Sequence, residues 1–138
     1  MTRAELRRIA AARLQDARIL LENRRYGACY YLSGYAVECA LKACIARQFK
    51  SRTIPDPRIV KAVYQHDLEQ LVRIAGLQPD LNAAARTDPD LQLKWLVAAD
   101  WAPDARYRVS ITKREASSLF HAVADPHHGV LQWLQRYW

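Results

Sequence analysis

The sequence predicts an all-α fold, an up-and-down helical bundle built on one long antiparallel helical hairpin. Only four of the 138 residues are glycine, and the abundance of alanine, leucine and arginine favours helix over sheet. Apolar residues recur at helical spacing in the first half of the chain. Prolines and capping residues divide the second half into short helical segments. The length predicts a single domain, residues 1–138, with a core of its own.

The first helix begins at a capping box, Thr2-x-x-Glu5, in which the two residues satisfy each other's free backbone N–H groups. Asn23-Arg24-Arg25 ends it, and the short gap to the next helix makes the pair an antiparallel hairpin. Arg13 is predicted at the rim of the buried face. That face follows helical spacing through Leu6, Ile9, Ala10, Ala17, Leu20 and Leu21.

The second helix, predicted over residues 26–50, is apolar or small on nearly every face. Such a helix must lie in the centre of a bundle. Gly34 and its short neighbours would let another backbone approach closely. Glu38 and Lys42, one turn apart, are expected to form an ion pair on the helix surface. The predicted buried stripe comprises Ala28, Tyr31, Leu32, Tyr35, Ala36, Cys39, Ala40, Ala43 and Ile45.

The rest of the chain reads as short helices. Pro55 and Pro57 break the second helix, and a short helix is predicted over residues 57–65. His66-Asp67 caps the next, which Gly76 closes. Asp80-Leu81 opens one or two further helical turns.

Asp88-Pro89 is a strong helix start, with an N-cap followed by proline at the first helical position. This helix is predicted to bury Leu91, Trp95 and Leu96. A loop over residues 104–111 leads to a second capping box, Thr112-x-x-Glu115. Asp125-Pro126 and Gly129 interrupt the final helical stretch, which is therefore either kinked or split into two helices.

Cysteine usage and hydropathy exclude several classes of protein. Cys29, Cys39 and Cys44 are odd in number and lack a C-x-x-C spacing, so neither a disulfide framework nor a zinc site is indicated. No apolar run reaches the ~18 residues that a membrane span needs. The first residues form a charged amphipathic helix rather than a signal peptide. We therefore expect a cytoplasmic protein with buried free thiols, no membrane contact, no metal and no cofactor.

Charge is distributed unevenly along the chain. Residues 1–54 hold eleven Lys/Arg and four Asp/Glu, a net charge of +7, whereas residues 55–138 hold ten of each. A basic face of this kind attracts nucleic acid or an acidic protein. The alternative is that the arginines only solvate the outside of the bundle. The candidate nucleic-acid-binding residues are Arg7, Arg8, Arg24, Arg25 and Arg106, and the first four are expected to be exposed.

Three segments carry a family resemblance. Residues 31–43, YLSGYAVECALKA, resemble the YLxGYAVExxLKA signature of HEPN domains, which are small all-helical proteins. His66-Asp67-Leu68 with Leu71 resembles the HDLxxL segment of that family, and Ala105-Arg106-Tyr107 resembles its ARY element. The resemblance covers nearly the whole chain. It implies a homodimer, and a partnership with a small nucleotidyltransferase in a two-gene system of toxin–antitoxin type.

HEPN ribonucleases use an Arg and a His separated by four to six residues, and two chains bring both motifs to one cleft. Arg114 and His121 have six residues between them. Two helical turns would place both on one face, ~10 Å apart along the axis. The guanidinium would hold a phosphate, and the imidazole would handle the proton of a 2′-hydroxyl group.

Other features of the sequence argue against cleavage. Glu115 stands where the family usually has asparagine and would repel phosphate, and Phe120 flanks His121 so closely that the ring is expected to complete the core. Arg106 has Ser110, Ile111 and Lys113 where a histidine would be needed.

The remaining polar and aromatic candidates have structural interpretations. His66 is expected to be a cap or a packed ring, and His127-His128 lack the acidic neighbours of a metal site. Tyrosines within so apolar a helix are more typical of a core or dimer interface than of base stacking. They are Tyr26, Tyr30, Tyr31 and Tyr35.

Two hypotheses from different classes remain. The first is a non-catalytic HEPN interaction module that forms a homodimer. The second is a metal-independent endoribonuclease that uses Arg114 and His121. RNA or nucleotide binding through the basic hairpin is compatible with both.

Overall fold

The computed structural model describes residues 1–138 and contains eight α-helices, one 3₁₀ helix and no strand, which confirms the predicted all-α fold. None of the helices is both long enough and apolar enough to cross a membrane. In chain order the elements are α1 (Arg3–Glu22), α2 (Tyr26–Ala46), α3 (Pro57–Ala62), α4 (Leu68–Ile74), α5 (Gln78–Thr87), α6 (Pro89–Ala99), the 3₁₀ helix (Pro103–Tyr107), α7 (Lys113–Ala124) and α8 (Val130–Leu134).

The hairpin of α1 and α2 is the frame of the bundle. The capping box at its start is present, because the Thr2 side chain accepts from the backbone of Glu5 and the Glu5 side chain accepts from the backbone of Thr2. The turn reverses the chain within three residues, and Arg24 adopts a left-handed conformation there with φ of 60°. The two helices then pack against each other along their lengths.

Helix α2 lies in the centre, as its composition predicts. It contacts α1, α4, α7, α8 and the 3₁₀ helix, and 13 of its 21 residues are buried. Ala36, Cys39, Ala40, Ala43 and Ile45 of the predicted stripe are buried. Ala28 is exposed instead, and Tyr31, Leu32 and Tyr35 are half-buried, because one edge of α2 has no neighbouring helix.

The helix ends at Ala46, four residues before its predicted end at Lys50. Residues 47–50 are all exposed, so no packing against the bundle supports further turns. The prediction of buried free thiols is confirmed, since all three cysteines are free and buried. Burial raises their pKa values, to about 12 for Cys44, which keeps them protonated and unreactive.

Gly34 is the site of the closest approach to α2. The small side chains around it predict the approach of another backbone, but the group that comes near is the indole of Trp101. A Cβ atom added to Gly34 would lie 2.2–2.3 Å from three carbons of that ring. Trp101 is buried and directly follows α6, so this contact fixes where the α6 segment meets the central helix.

Glu38 is the one buried charged residue, with 3% of its surface exposed. The predicted ion pair with Lys42 is present, but it is largely buried and does not lie on the helix surface as expected. Glu38 Oε1 lies 2.8 Å from Lys42 Nζ and 2.9 Å from His66 Nδ1, so a residue just before α4 completes the site. His66 is therefore a side-chain anchor, and Asp67 caps α4 by accepting from the Gln70 backbone.

The later elements differ from prediction in four places. Helix α3 ends at Ala62 rather than at residue 65, and a 3₁₀ helix, Pro103–Tyr107, occupies part of the predicted loop. Helix α5 has ten residues rather than one or two turns. Leu96 was expected to be buried and is 57% exposed, since α6 buries only Leu91, Trp95 and Ala98 and turns its opposite face to solvent. The final stretch is split into α7 and α8, one of the two arrangements left open.

Replacing Gly34 by alanine should destabilise the protein by about 1–3 kcal/mol, because the new methyl group overlaps the Trp101 ring within a packed core. Gly27→Ala is the matched control on the same helix. A Cβ at Gly27 meets nothing within 4 Å, and alanine favours helix there by up to about 1 kcal/mol. Urea unfolding of both variants measures the difference, and equal stability of the two would contradict the packing described.

Glu38→Ala should cost about 3 kcal/mol of unfolding free energy, because it leaves the half-buried Lys42 without its counter-charge and His66 without its anchor. Asp16→Ala is the control, since it removes the carboxylate of an exposed pair with Arg13. Its cost should stay below about 1 kcal/mol. Losses of similar size in the two variants would show that burial gives the Glu38 pair no special weight.

Candidate nucleic-acid interface

Helix α1 has a second face, about a quarter turn from the face that packs on α2. Arg7, Ala11, Leu14 and Arg18 follow one another at offsets of four, seven and eleven residues, which places them in one row along the helix. The row is roughly 16 Å long from Arg7 to Arg18. Its inner counterpart is the buried row of Leu6, Ala10 and Ala17.

Two neighbouring depressions follow this row, and together we call them the α1 groove. The first lies between α1 and the residues after α8, where Arg7 and Arg8 face Gln135 and Trp138. The second lies between Leu14 and Arg18 of α1 and the end of α7 with the following loop. Ala11 and Gln135 line both depressions, which are therefore adjacent along α1.

A third depression lies beyond the far end of α1, at the hairpin turn. Arg24 and Arg25 line it together with the first turn of α2, Val109 and Ile111. Arg25 is the N-cap of α2, and no side chain caps that end of the helix. Free backbone N–H groups and two guanidinium groups therefore make the turn electropositive. Arg7, Arg8, Arg24 and Arg25 are all exposed, as expected.

The last turn of α7 lines the groove through Val123 and Ala124. Arg114 and His121 are both exposed on the outer face of α7, and neither forms an ion pair. Arg114 and His121 are seven residues apart, and seven residues fall about 20° short of two full helical turns. The two side chains therefore leave the helix in nearly the same direction. The prediction that His121 completes the core is wrong. Its neighbour Phe120 faces inward under Arg18, whose Cζ is 5.4 Å from the ring centroid, and His121 faces solvent.

Glu115, which was expected to repel phosphate beside Arg114, is already engaged. Its carboxylate closes the predicted capping box with Thr112 and lies 3.1 Å from Arg108 Nη2. The negative charge is thus held by the start of α7 and by Arg108.

Carboxylates are fewer than cations on this surface. Glu5 lies near Arg8, Glu22 is exposed at the end of α1, and Glu115 follows Arg114. Asp125 is committed to the loop after α7, accepting from the backbone N–H groups of His127 and His128 at 2.8 Å each. These two bonds, that to His128 first, lower the pKa of Asp125. The surface carries seven cations that form no ion pair: Arg7, Arg8, Arg18, Arg24, Arg25, Lys113 and Arg114.

Arg106 does not belong to this surface. It lies on the 3₁₀ helix, which packs against α2, and its Cζ is 4.7 Å above the ring of the adjacent Tyr107. Its Nη2 also donates to the hydroxyl group of Tyr107 at 3.1 Å. Among the tyrosines, Tyr30 is buried, while Tyr31 and Tyr35 stack on each other with centroids 6.1 Å apart.

His128 has acidic neighbours after all, supplied by another segment. Its Nδ1 lies 2.8 Å from Asp88 Oδ2, and ligand atoms of Asp88, Asp90 and His128 all lie within 4.8 Å of one another. The hydrogen bond lowers the pKa of Asp88 and raises that of His128, so it favours the charged form of each group. Asp88 also caps α6 by accepting from the backbone N–H of Leu91. The contact between Asp88 and His128 therefore joins α6 to the loop before α8.

Sequence reasoning missed two residues of the groove. Arg18 could have been found, because it continues the row of Arg7 and Leu14 on the outer face of α1. Trp138 carries no local signal, since its position depends on how the segment after α8 returns to the start of α1. Arg3 Nη2 donates to the Trp138 carbonyl group and Arg7 Cζ lies 5.3 Å from its ring centroid, which holds the indole in place.

Comparison with known families supports the assignment of the fold. The model of the HEPN domain family matches residues 4–124 of the 138, from the start of α1 to the end of α7. Neither the comparison with curated proteins nor that with solved structures gives a match. The matched region includes both long helices and the three signature segments. The chain therefore belongs to the HEPN domain family, a family related to nucleic acids.

Proposed function

We propose that this HEPN domain binds RNA along the α1 groove and the hairpin turn, and that it acts as a binding and interaction module rather than as a nuclease. The observation that carries the proposal is the excess of seven unpaired cations over four carboxylates on one surface. Three of these carboxylates, Glu5, Glu115 and Asp125, are already engaged in helix caps or loop contacts. Phosphate groups bind such a surface by displacing counterions, without regard to base sequence.

The shape of the surface supports an extended ligand. Arg7 and Arg18 stand along the groove, and Arg24 lies beyond the end of α1, roughly 25 Å from Arg7. A flexible backbone with a charge on every nucleotide can meet these groups in turn. A compact anion would contact only one of the three depressions.

Protein partners are part of the proposal. Leu93, Leu96 and Val97 are exposed on the outer face of α6, one helical turn or less apart. Exposed apolar side chains grouped in this way are typical of protein contact sites. We assign the predicted homodimer, and contact with a small nucleotidyltransferase of a toxin–antitoxin-type system, to surfaces of this kind outside the groove.

An endoribonuclease is the second candidate, and the exposure of Arg114 and His121 on one side of α7 favours it. Cleavage by a 2′-hydroxyl group needs one group to take its proton and another to protonate the leaving 5′-oxygen. Each chain has one imidazole on this surface, so a second copy would have to supply the other. Binding needs no such convergence, and we therefore place it first.

Charge reversal in the groove should weaken RNA binding without unfolding the protein, because the side chains are exposed. If each arginine neutralises one phosphate, the plot of log affinity against log salt should become shallower. The magnitude of its negative slope should decrease by about 3, at roughly 0.7 per contact on a single strand. The measurement is fluorescence anisotropy with a labelled single-stranded RNA at several salt concentrations. The variant carries Arg→Glu at Arg7, Arg8, Arg24 and Arg25.

A matched pair of double variants controls for net charge. Arg24→Glu with Arg25→Glu changes the hairpin turn, whereas Arg73→Glu with Arg86→Glu changes two exposed arginines of α4 and α5 by the same amount. Only the first pair should lower the affinity markedly. Equal losses would mean that the overall charge, and not this surface, attracts RNA.

The purified protein should not cut single-stranded RNA in the presence of EDTA, even in fractions with twice the 15.9 kDa mass of one chain. Gel analysis of a labelled RNA after long incubation tests this. Metal-independent cleavage that is lost in both Arg114→Ala and His121→Ala, with melting temperatures unchanged, would instead establish the ribonuclease.

A further inference from the structure

The depression at the start of the α1 groove has an indole on its wall. Trp138 is half-buried and lines an open volume of about 520 Å³ with Arg7, Arg8 and Gln135. Ala4 and Ala11, one turn on either side of Arg7, leave the floor between these groups free of bulk. No Asp or Glu side chain lines the depression.

From this arrangement we infer that the depression is a subsite for one unpaired nucleobase, stacked on the Trp138 indole. The inference rests on the proposed function and specifies its substrate, which is a single strand with an accessible base. In a duplex the bases are stacked on each other and cannot enter.

The lining chemistry matches this occupant. An indole offers a flat apolar face on which any base can stack, and such stacking is largely independent of base identity. Arg7 and Arg8 stand beside it to hold the adjoining phosphates, and the Gln135 amide can both donate to and accept from a base edge. An aliphatic ligand would leave the two guanidinium groups unused, and an acidic peptide would leave the indole face unused.

The indole is held in position before any ligand binds. Arg3 donates to the Trp138 backbone carbonyl, and Arg47 Nη1 donates to that of Tyr137 at 3.4 Å. The Cζ atom of Arg7 lies 5.3 Å from the centroid of the Trp138 ring. From this position its guanidinium can move to a phosphate while a base stacks on the indole.

Tryptophan fluorescence of the intact protein tests the inference, because Trp95, Trp101 and Trp133 are buried and Trp138 is the accessible indole. A short single-stranded RNA should quench the emission, whereas an abasic strand of equal length and charge should not. Trp138→Leu should bind the RNA roughly 5- to 150-fold more weakly, the range that one base–aromatic stack supports. Trp138→Phe should retain most of the affinity, which separates lost stacking from disturbed folding.

Two results separate failure of the subsite from failure of RNA binding. RNA can bind with a steep salt dependence while Trp138→Leu binds it as tightly as the unaltered protein and the abasic strand binds and quenches like the intact RNA. That result overturns the subsite but not RNA binding in the groove. If no strand binds at all, both are overturned. Quenching by an acidic peptide, with no effect of RNA, would assign the depression to a protein partner and overturn the subsite.

Discussion

The whole bundle depends on the burial of α2, a helix with partners on all sides except one narrow edge. Burial on this scale leaves little room for polar groups, and α2 has one buried carboxylate, that of Glu38. A charge in such a position must be paired, because its desolvation costs several kcal/mol otherwise. Lys42 of the same helix and His66, just before α4, both pair with this carboxylate. The pairing therefore sets the position of a distant segment as well as the stability of the core.

The signature by which the family is recognised serves this packing. Gly34 admits the Trp101 indole, and Glu38 holds Lys42 and His66. These contacts fix α4 and the end of α6 on the central helix. The groove arginines, by contrast, stand on a face of α1 beside the one that packs on α2. The core contacts and the proposed binding surface thus use different faces of one helix.

Much of the fold could be predicted because its signals are local. Capping boxes, prolines and helical spacing predict most of the helices. They do not predict side-chain contacts between residues that lie far apart in the chain. His66 reaches Glu38 across 28 residues, and His128 reaches Asp88 across 40, so neither pair has a local pattern. His121 is a different error. Leu119, Phe120 and Val123 already fix the phase of α7, and that phase turns His121 outward.

The two halves of the chain offer an internal comparison for the role of the charges. Residues 55–138 carry ten cations and ten anions, which is sufficient to solvate the outside of a helical bundle. If solvation were the only requirement, residues 1–54 would need no excess of +7. Like charges on one surface repel one another and oppose compaction, so the excess lowers stability where it is concentrated. An anionic ligand would remove that repulsion on binding, and the proposed strand of RNA would do so along α1.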